Sequence, residues 1–270
     1  MPPLPINHLG PEGVNSDDFR AFTSALVDRA VTDERVVGLV AVGSMAERDY
    51  APDEWSDHDF FLVTQPGEQD AFRTDLSWLP RADEIVLSFR ETEHGLKVVY
   101  EDAHLIEFAV FSVEELRVAP VDRHRVLLDR GGVADGLVVI SREQSSAPRR
   151  DGARAFDLLL SHVLVGPGRH CRGETLSGAF FVRSLAVSDL VSLVTATLPA
   201  ENETLLDGLD PLRRFELVYP EIARELDELS RADTLTAARG LLALAERELR
   251  EVRPELPWHA LDVVRGHLPD

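Results

Sequence analysis

Positive charge is scarce in this chain. Its 270 residues carry 28 Lys and Arg against 48 Asp and Glu, a formal net charge of −20, and Lys97 is the single lysine. There is no basic stripe, so sequence-independent nucleic-acid binding, which relies on cations neutralising phosphates, is not expected. An acidic surface favours a cationic small-molecule partner instead. Cysteine is equally rare: Cys171 alone excludes an internal disulfide and fits a reducing compartment. Met1-Pro2-Pro3-Leu4-Pro5 lacks the charged and apolar regions of a signal peptide. No run is expected to reach the length of a membrane span, since even Leu158-Leu159-Leu160 is interrupted by Ser161-His162. A cytoplasmic protein with no membrane partner is the expectation.

The chemistry concentrates in one short region. Val36 to Val42 is an apolar, β-branched run of the kind that fills a strand buried on both faces, and it stops at Gly43. Gly43 allows the backbone to approach a ligand closely. Ser44, the amides of a short helix predicted over Met45 to Asp49, and the charge of Arg48 can then face phosphate oxygens. After a loop, Asp57-His58-Asp59-Phe60-Phe61-Leu62-Val63 reads as a second buried strand. Alternation along a strand would put Asp57 and Asp59 on one face, a few ångströms apart. Hard oxygen ligands so placed suit magnesium, which binds through one or two carboxylates plus substrate phosphates. Glu107 interrupts the apolar strand His104 to Phe111 and calls for a partner or a metal, because an unpaired charge there is costly.

An apolar strand, Gly-Ser, Asp-x-Asp and a later acidic strand residue together resemble the nucleotidyltransferase superfamily typified by DNA polymerase β. The segment Asp53-Glu54-Trp55-Ser56-Asp57-His58-Asp59-Phe60 is most similar to the bacterial branch that includes aminoglycoside and lincosamide nucleotidyltransferases. The resemblance covers Val36 to Phe111 and is loose beyond it; His58 departs from the apolar residue more usual there and suggests a neighbouring polar pocket. It implies that Asp57, Asp59 and Glu107 hold two Mg2+ ions and that Gly43 and Ser44 hold the triphosphate of a nucleotide, ATP first among them. It further implies transfer of a nucleoside monophosphate to a hydroxyl of a small-molecule acceptor such as an aminoglycoside or lincosamide, with release of pyrophosphate.

The same reasoning predicts an α+β protein. Residues 1–147 form an N-terminal nucleotidyltransferase fold with a mixed sheet flanked by helices, and 148–270 a C-terminal all-α substrate-binding domain. Ser16-Asp17-Asp18 caps a first helix buried through Phe19, Phe22, Leu26 and Ala30. Ser141 to Pro148 is polar and aperiodic and reads as the boundary. In the second half, Ala153 to Val165 is predicted as a helix ended by Gly166-Pro167-Gly168. A long helix over Gly173 to Leu198 follows, its core stripe at Leu176, Phe180, Val187, Leu190 and Val194. Further helical segments are expected over Pro211 to Val218, Glu221 to Leu229 and Thr234 to Glu251.

Glu174, at the start of the long helix, stands where the resemblance implies a general base, although acidic residues suit the first turn of any helix. Arg172 beside it is an alternative contact for the triphosphate. Trp55 is a candidate to stack on a base or to join the core. Asp157, Ser161 and His162 lack the setting of a nucleophile, and His162, His170 and Cys171 lack zinc spacing. Two other readings stay open: a protein or tRNA acceptor, as in toxin–antitoxin members of the superfamily, and a non-catalytic nucleotide-binding module. A homodimer is a further candidate partner.

Overall fold

A six-stranded mixed sheet lies at the centre of the first of two units, Met1–Ser146 and Ala147–Asp270, into which the computed structural model divides the chain. It describes residues 16–46, 52–53, 55–119, 123–146, 152–200, 202–207 and 210–269. The expectations for residues 1–15 and for 47–51, Arg48 included, lie outside them.

The strands are β1 (Val36–Val42), β2 (His58–Thr64), β3 (Ile85–Arg90), β4 (Gly95–Tyr100), β5 (Leu105–Ser112) and β6 (His124–Asp129), in the order β3-β4-β5-β2-β1-β6. Only β2 and β5 run parallel; the other neighbours are antiparallel. One face is covered by α1 (Ser16–Thr32), whose Phe19, Phe22, Leu26 and Ala30 pack with Leu39, Phe60, Leu62, Ile106 and Phe108. On the other face Val40, Phe61, Val63 and Phe111 meet Val133, Leu137 and Ile140 of α3 (Val133–Ser146). A short α2 (Gln69–Thr74) adds Phe72 to the first core.

Helix α3 continues through Ser146, so residues 141–146, expected to be aperiodic, are helical, and the division between the units falls immediately after them. Its apolar residues Val133, Leu137 and Ile140 recur at helical spacing. Its start is fixed from the preceding strand: Asp129 Oδ1 accepts the amides of Gly131 (3.1 Å) and Val133 (3.0 Å), and Oδ2 accepts that of Ala134 (3.0 Å). These donors, Ala134 foremost, hold the Asp129 carboxyl below the usual range.

The second unit is helical: α4 (Gly152–Cys171), α5 (Thr175–Phe180), α6 (Val187–Thr197), α7 (Phe215–Val218), α8 (Pro220–Arg231), α9 (Thr234–Leu249) and α10 (Trp258–His267). Gly166-Pro167-Gly168 does not end α4, which runs on to Cys171. Instead the glycine marks a helix crossing. A Cβ on Gly178 would lie 2.7 Å from the Gly166 carbonyl oxygen, so the two backbones touch where side chains are absent.

Residues Phe181–Ala186 between α5 and α6 form a π-helical turn. The wider turn shifts the helical period. Val182, Ala186, Leu190 and Val194 are therefore buried, while Leu176 (88% exposed) and Phe180 (54% exposed) leave the stripe they were expected to join. Against expectation, Thr175–Thr197 is long and apolar enough to cross a membrane by length and composition, though Leu190, Val191, Leu193 and Val194 belong to the core of the helical unit. α10 lay outside the expected helices; Trp258, Leu261 and Val264 bury it.

One polar pair sits inside the first core. His58 is fully buried and His104 nearly so. His58 Nε2 lies 3.1 Å from the Phe19 carbonyl, which can only accept, so Nδ1 is the acceptor for His104 Nε2–H at 2.7 Å. The ring stacks on Phe19 at 3.7 Å. Burial, then the charge of His104, pushes the His58 pKa down to about 3. The unfolded chain therefore binds protons below pH 6.5 that the folded chain refuses down to about 3. Stability is complete above 6.5 and falls with pH, with a slope from this residue approaching ~1.4 kcal/mol per unit. Urea midpoints between pH 7 and 4.5 should decline more steeply for the native protein than for His58→Leu, whatever the offset between them; parallel declines would refute this account.

Candidate active site

β1 ends in a tight turn that the next strand depends on. Gly43 has φ +53°, a region that favours glycine, and opens a 3-10 turn over Gly43–Ala46. A Cβ there would fall inside the Asp59 carboxylate. Ser44 is buried, and its hydroxyl donates to the Asp57 carbonyl at 2.9 Å. The Gly-Ser pair thus clamps both ends of Asp57-His58-Asp59, one residue by vacancy and the other by a hydrogen bond.

The sheet register then assembles a row. Val42 pairs with Asp59 across β1–β2, Asp59 with Glu107 across the parallel β2–β5 pair, and Glu107 with Lys97 across β5–β4. Directly paired residues project from the same face, so Asp59, Glu107 and Lys97 stand side by side. The ammonium of Lys97 is 2.9 Å from Glu107 Oε1 and 3.0 Å from Glu91 Oε1. Those two carboxylates hold the Lys97 pKa above its ordinary value, Glu107 most strongly. The partner that Glu107 called for is therefore a lysine two strands from Asp59.

Asp57 is placed differently from expectation. β2 begins at His58, so Asp57 lies one residue before the ladder and is not held by it. Among the described residues, no group of three or more His, Cys, Asp or Glu side chains is gathered to hold a metal. The donor chemistry nevertheless fits a hard cation: Asp59 and Glu107 are adjacent carboxylates, and magnesium needs only one or two from protein.

Other expected residues fall into plain positions. Trp55 is 75% exposed and takes no part in the core; Asp53 Oδ1 accepts its amide at 2.9 Å. Glu174 caps α5 without a side-chain hydrogen bond to the helix, and its Oε1 accepts from Arg172 Nε at 3.0 Å. His162 bonds Asp189 (2.6 Å), while Ser161 donates to the Asp157 carbonyl (2.8 Å), so these three form no nucleophilic triad. Arg125 was not anticipated: from β6 its Nη2 donates to the Met45 carbonyl at 3.0 Å, bringing a guanidinium to the 3-10 turn. The pairing of Arg125 with Ala41 of β1 decides where it lands, which no local pattern in the sequence signals. A cavity of about 350 Å³ lined by Arg29, Asp33, Val36, Phe72 and Trp78 lies at the Val36 end of β1, the end away from Gly43.

No family model matches this sequence, and no curated protein matches it. The solved structures to which the chain is similar include two that are named as nucleotidyltransferases. An aminoglycoside 6-adenyltransferase from Bacillus subtilis aligns over 91% of this chain and 95% of its own, at 10% identity and a TM-score of 0.34. A nucleotidyltransferase-like protein from Exiguobacterium sibiricum 255-15 aligns over 93% and 88%, at 14% identity and a TM-score of 0.34. Similarity this distant adds nothing to the geometry above.

The clamp makes two stability effects measurable by chemical denaturation. Gly43→Ala should lose about 1–3 kcal/mol, from left-handed strain and displacement of the Asp59 carboxylate. Ser44→Ala should lose about 0.5–1.5 kcal/mol for one hydrogen bond. An alanine at 43 as stable as glycine would show that the turn does not constrain Asp59.

Proposed function

We propose that this protein is a magnesium-dependent nucleotidyltransferase. The observation that carries the reading is the placement of Asp59 beside Glu107 in one row, with Gly43 packed against the Asp59 carboxylate. Adjacent carboxylates repel each other, and a divalent cation with a triphosphate is the ligand that relieves both the repulsion and the hydration cost. In this reading Asp59 and Glu107 hold Mg2+, joined by Asp57 from the edge of the strand, and two ions are accommodated as the resemblance implies. When bound, such ions neutralise charge on the phosphates and favour the ionised acceptor hydroxyl.

The chain's own residues perform the rest. The Gly43–Ala46 turn, with Gly43 free of a side chain, lets the triphosphate approach the backbone. Ser44 holds the Asp57 carbonyl and so fixes the edge of the site. Arg48 and Arg125 supply positive charge to the departing pyrophosphate. The acceptor oxygen attacks the α-phosphorus, the bond to the β-phosphate bridging oxygen breaks, and pyrophosphate leaves. Glu174 takes the acceptor proton, exchanging its present partner Arg172 to do so.

ATP is the first candidate donor, and the helical second unit is the substrate-binding domain. A small hydroxyl-bearing acceptor fits best, and a cationic one such as an aminoglycoside suits a chain of net charge −20. A cytoplasmic setting would supply both nucleotide and magnesium.

The decisive assay is Mg2+-dependent pyrophosphate release from each ribonucleoside triphosphate, against a panel of aminoglycosides, lincosamides and candidate protein acceptors. Release should require one acceptor class. Asp59→Asn should reduce the rate by at least about 100-fold, consistent with loss of a few kcal/mol of charge stabilisation. Transfer that survives Asp57→Asn and Asp59→Asn combined would sink the assignment.

A further inference from the structure

The lone lysine of the chain stands in the carboxylate row. Lys97 Nζ bridges Glu107 Oε1 at 2.9 Å and Glu91 Oε1 at 3.0 Å. Glu107 in turn is the register partner of Asp59. The ammonium therefore sits at the end of an Asp–Glu–Lys row, on the side of Glu107 away from Asp59, and its second partner, Glu91, lies in the hairpin that joins β3 to β4.

Three physical features distinguish this ion pair from a fixed structural one. It is open to water, the Lys97 side chain being 25% exposed and that of Glu107 33%, so solvent screens the pair and a stronger cation can displace it. Lysine is a compact point charge on a flexible stem, whereas an arginine there would lock a carboxylate through a planar fork. The second acceptor, Glu91, gives the ammonium a partner to keep when Glu107 is taken.

We propose that Lys97 is a resident counter-ion of the carboxylate row: it holds Glu107 beside Asp59 while no divalent cation is bound, yields Glu107 when one binds, and remains paired with Glu91. The inference rests on the reading of Asp59 and Glu107 as cation ligands. Lys97 is then a positioning residue that sets how tightly the row takes metal. Its presence costs affinity, because the incoming ion must release Glu107 from it, and in exchange it keeps two like charges in register in the empty site.

The test uses the full chain without nucleotide and Mn2+ as the probe, with bound ion measured by the loss of the free-ion paramagnetic signal. Lys97→Gln should tighten Mn2+ about two- to fivefold, the range of one solvent-screened ion pair. It should also lower the melting temperature of the metal-free protein and enlarge the rise produced by Mn2+. In a Glu107→Gln background the same lysine substitution should leave Mn2+ affinity unchanged, since Lys97 acts through that carboxylate. A Lys97→Gln protein with unaltered affinity, or one whose gain persists without Glu107, overturns the counter-ion role while leaving the metal site intact. Mn2+ affinity indifferent to both Asp59→Asn and Glu107→Gln overturns the metal reading itself, and the inference with it.

Discussion

Everything at the candidate site hangs on the parallel pairing of β2 with β5. That register decides that Asp59 meets Glu107 and not a neighbour, and a slip of β2 by one residue would turn Asp59 into the apolar core on the other face, away from Glu107. The core beneath enforces it. Phe60 stacks on Phe108 at 5.1 Å, and His58 is hydrogen-bonded to His104 immediately before β5. A buried polar pair contributes little net stability, but it tolerates no other alignment, because a shifted strand would leave two imidazoles unsatisfied. The polar pocket suggested by His58 is thus real, and it lies on the face of the sheet opposite the carboxylates.

Charge and packing divide the labour in the first unit. Apolar contacts on both faces make the sheet stiff, and the polar groups at one end of it are held by short local devices: a glycine vacancy, a serine hydroxyl and a lysine. The second unit is built by a different rule. There the Gly166–Gly178 contact lets helices approach closely, and the π-helical turn at Phe181–Ala186 redirects which residues are buried. π-turns within α-helices recur at functional positions, and this one immediately follows α5, whose cap is Glu174.

Much of the first unit could be read without coordinates because its signals are local. The apolar run of β1, the alternation in β5 and the stripe of α1 each show in a window of a few residues. The α+β architecture followed from these. What escaped was information carried by pairing. Nothing near Lys97 in the sequence points to Glu107, nothing near Arg125 points to Met45, and the capping of α3 by Asp129 begins before a Gly-Gly that reads as a turn. The start of β2 at His58 moved Asp57 off the ladder for the same reason, since strand ends are decided by partners. In the helical unit, Gly-Pro-Gly read as a stop because proline usually ends helices; the tertiary contact of Gly166 outweighed that tendency.

The contact between Gly43 and Asp59 ties two distant positions into a single inheritable trait. Any side chain at 43 would meet the Asp59 carboxylate and so demands a shift of the acid. Substitution at 43 alone is therefore a loss, and a viable path to a different turn must move the acid as well. Evolution of this loop is epistatic by geometry, with the acid constraining the glycine as firmly as the glycine shelters the acid.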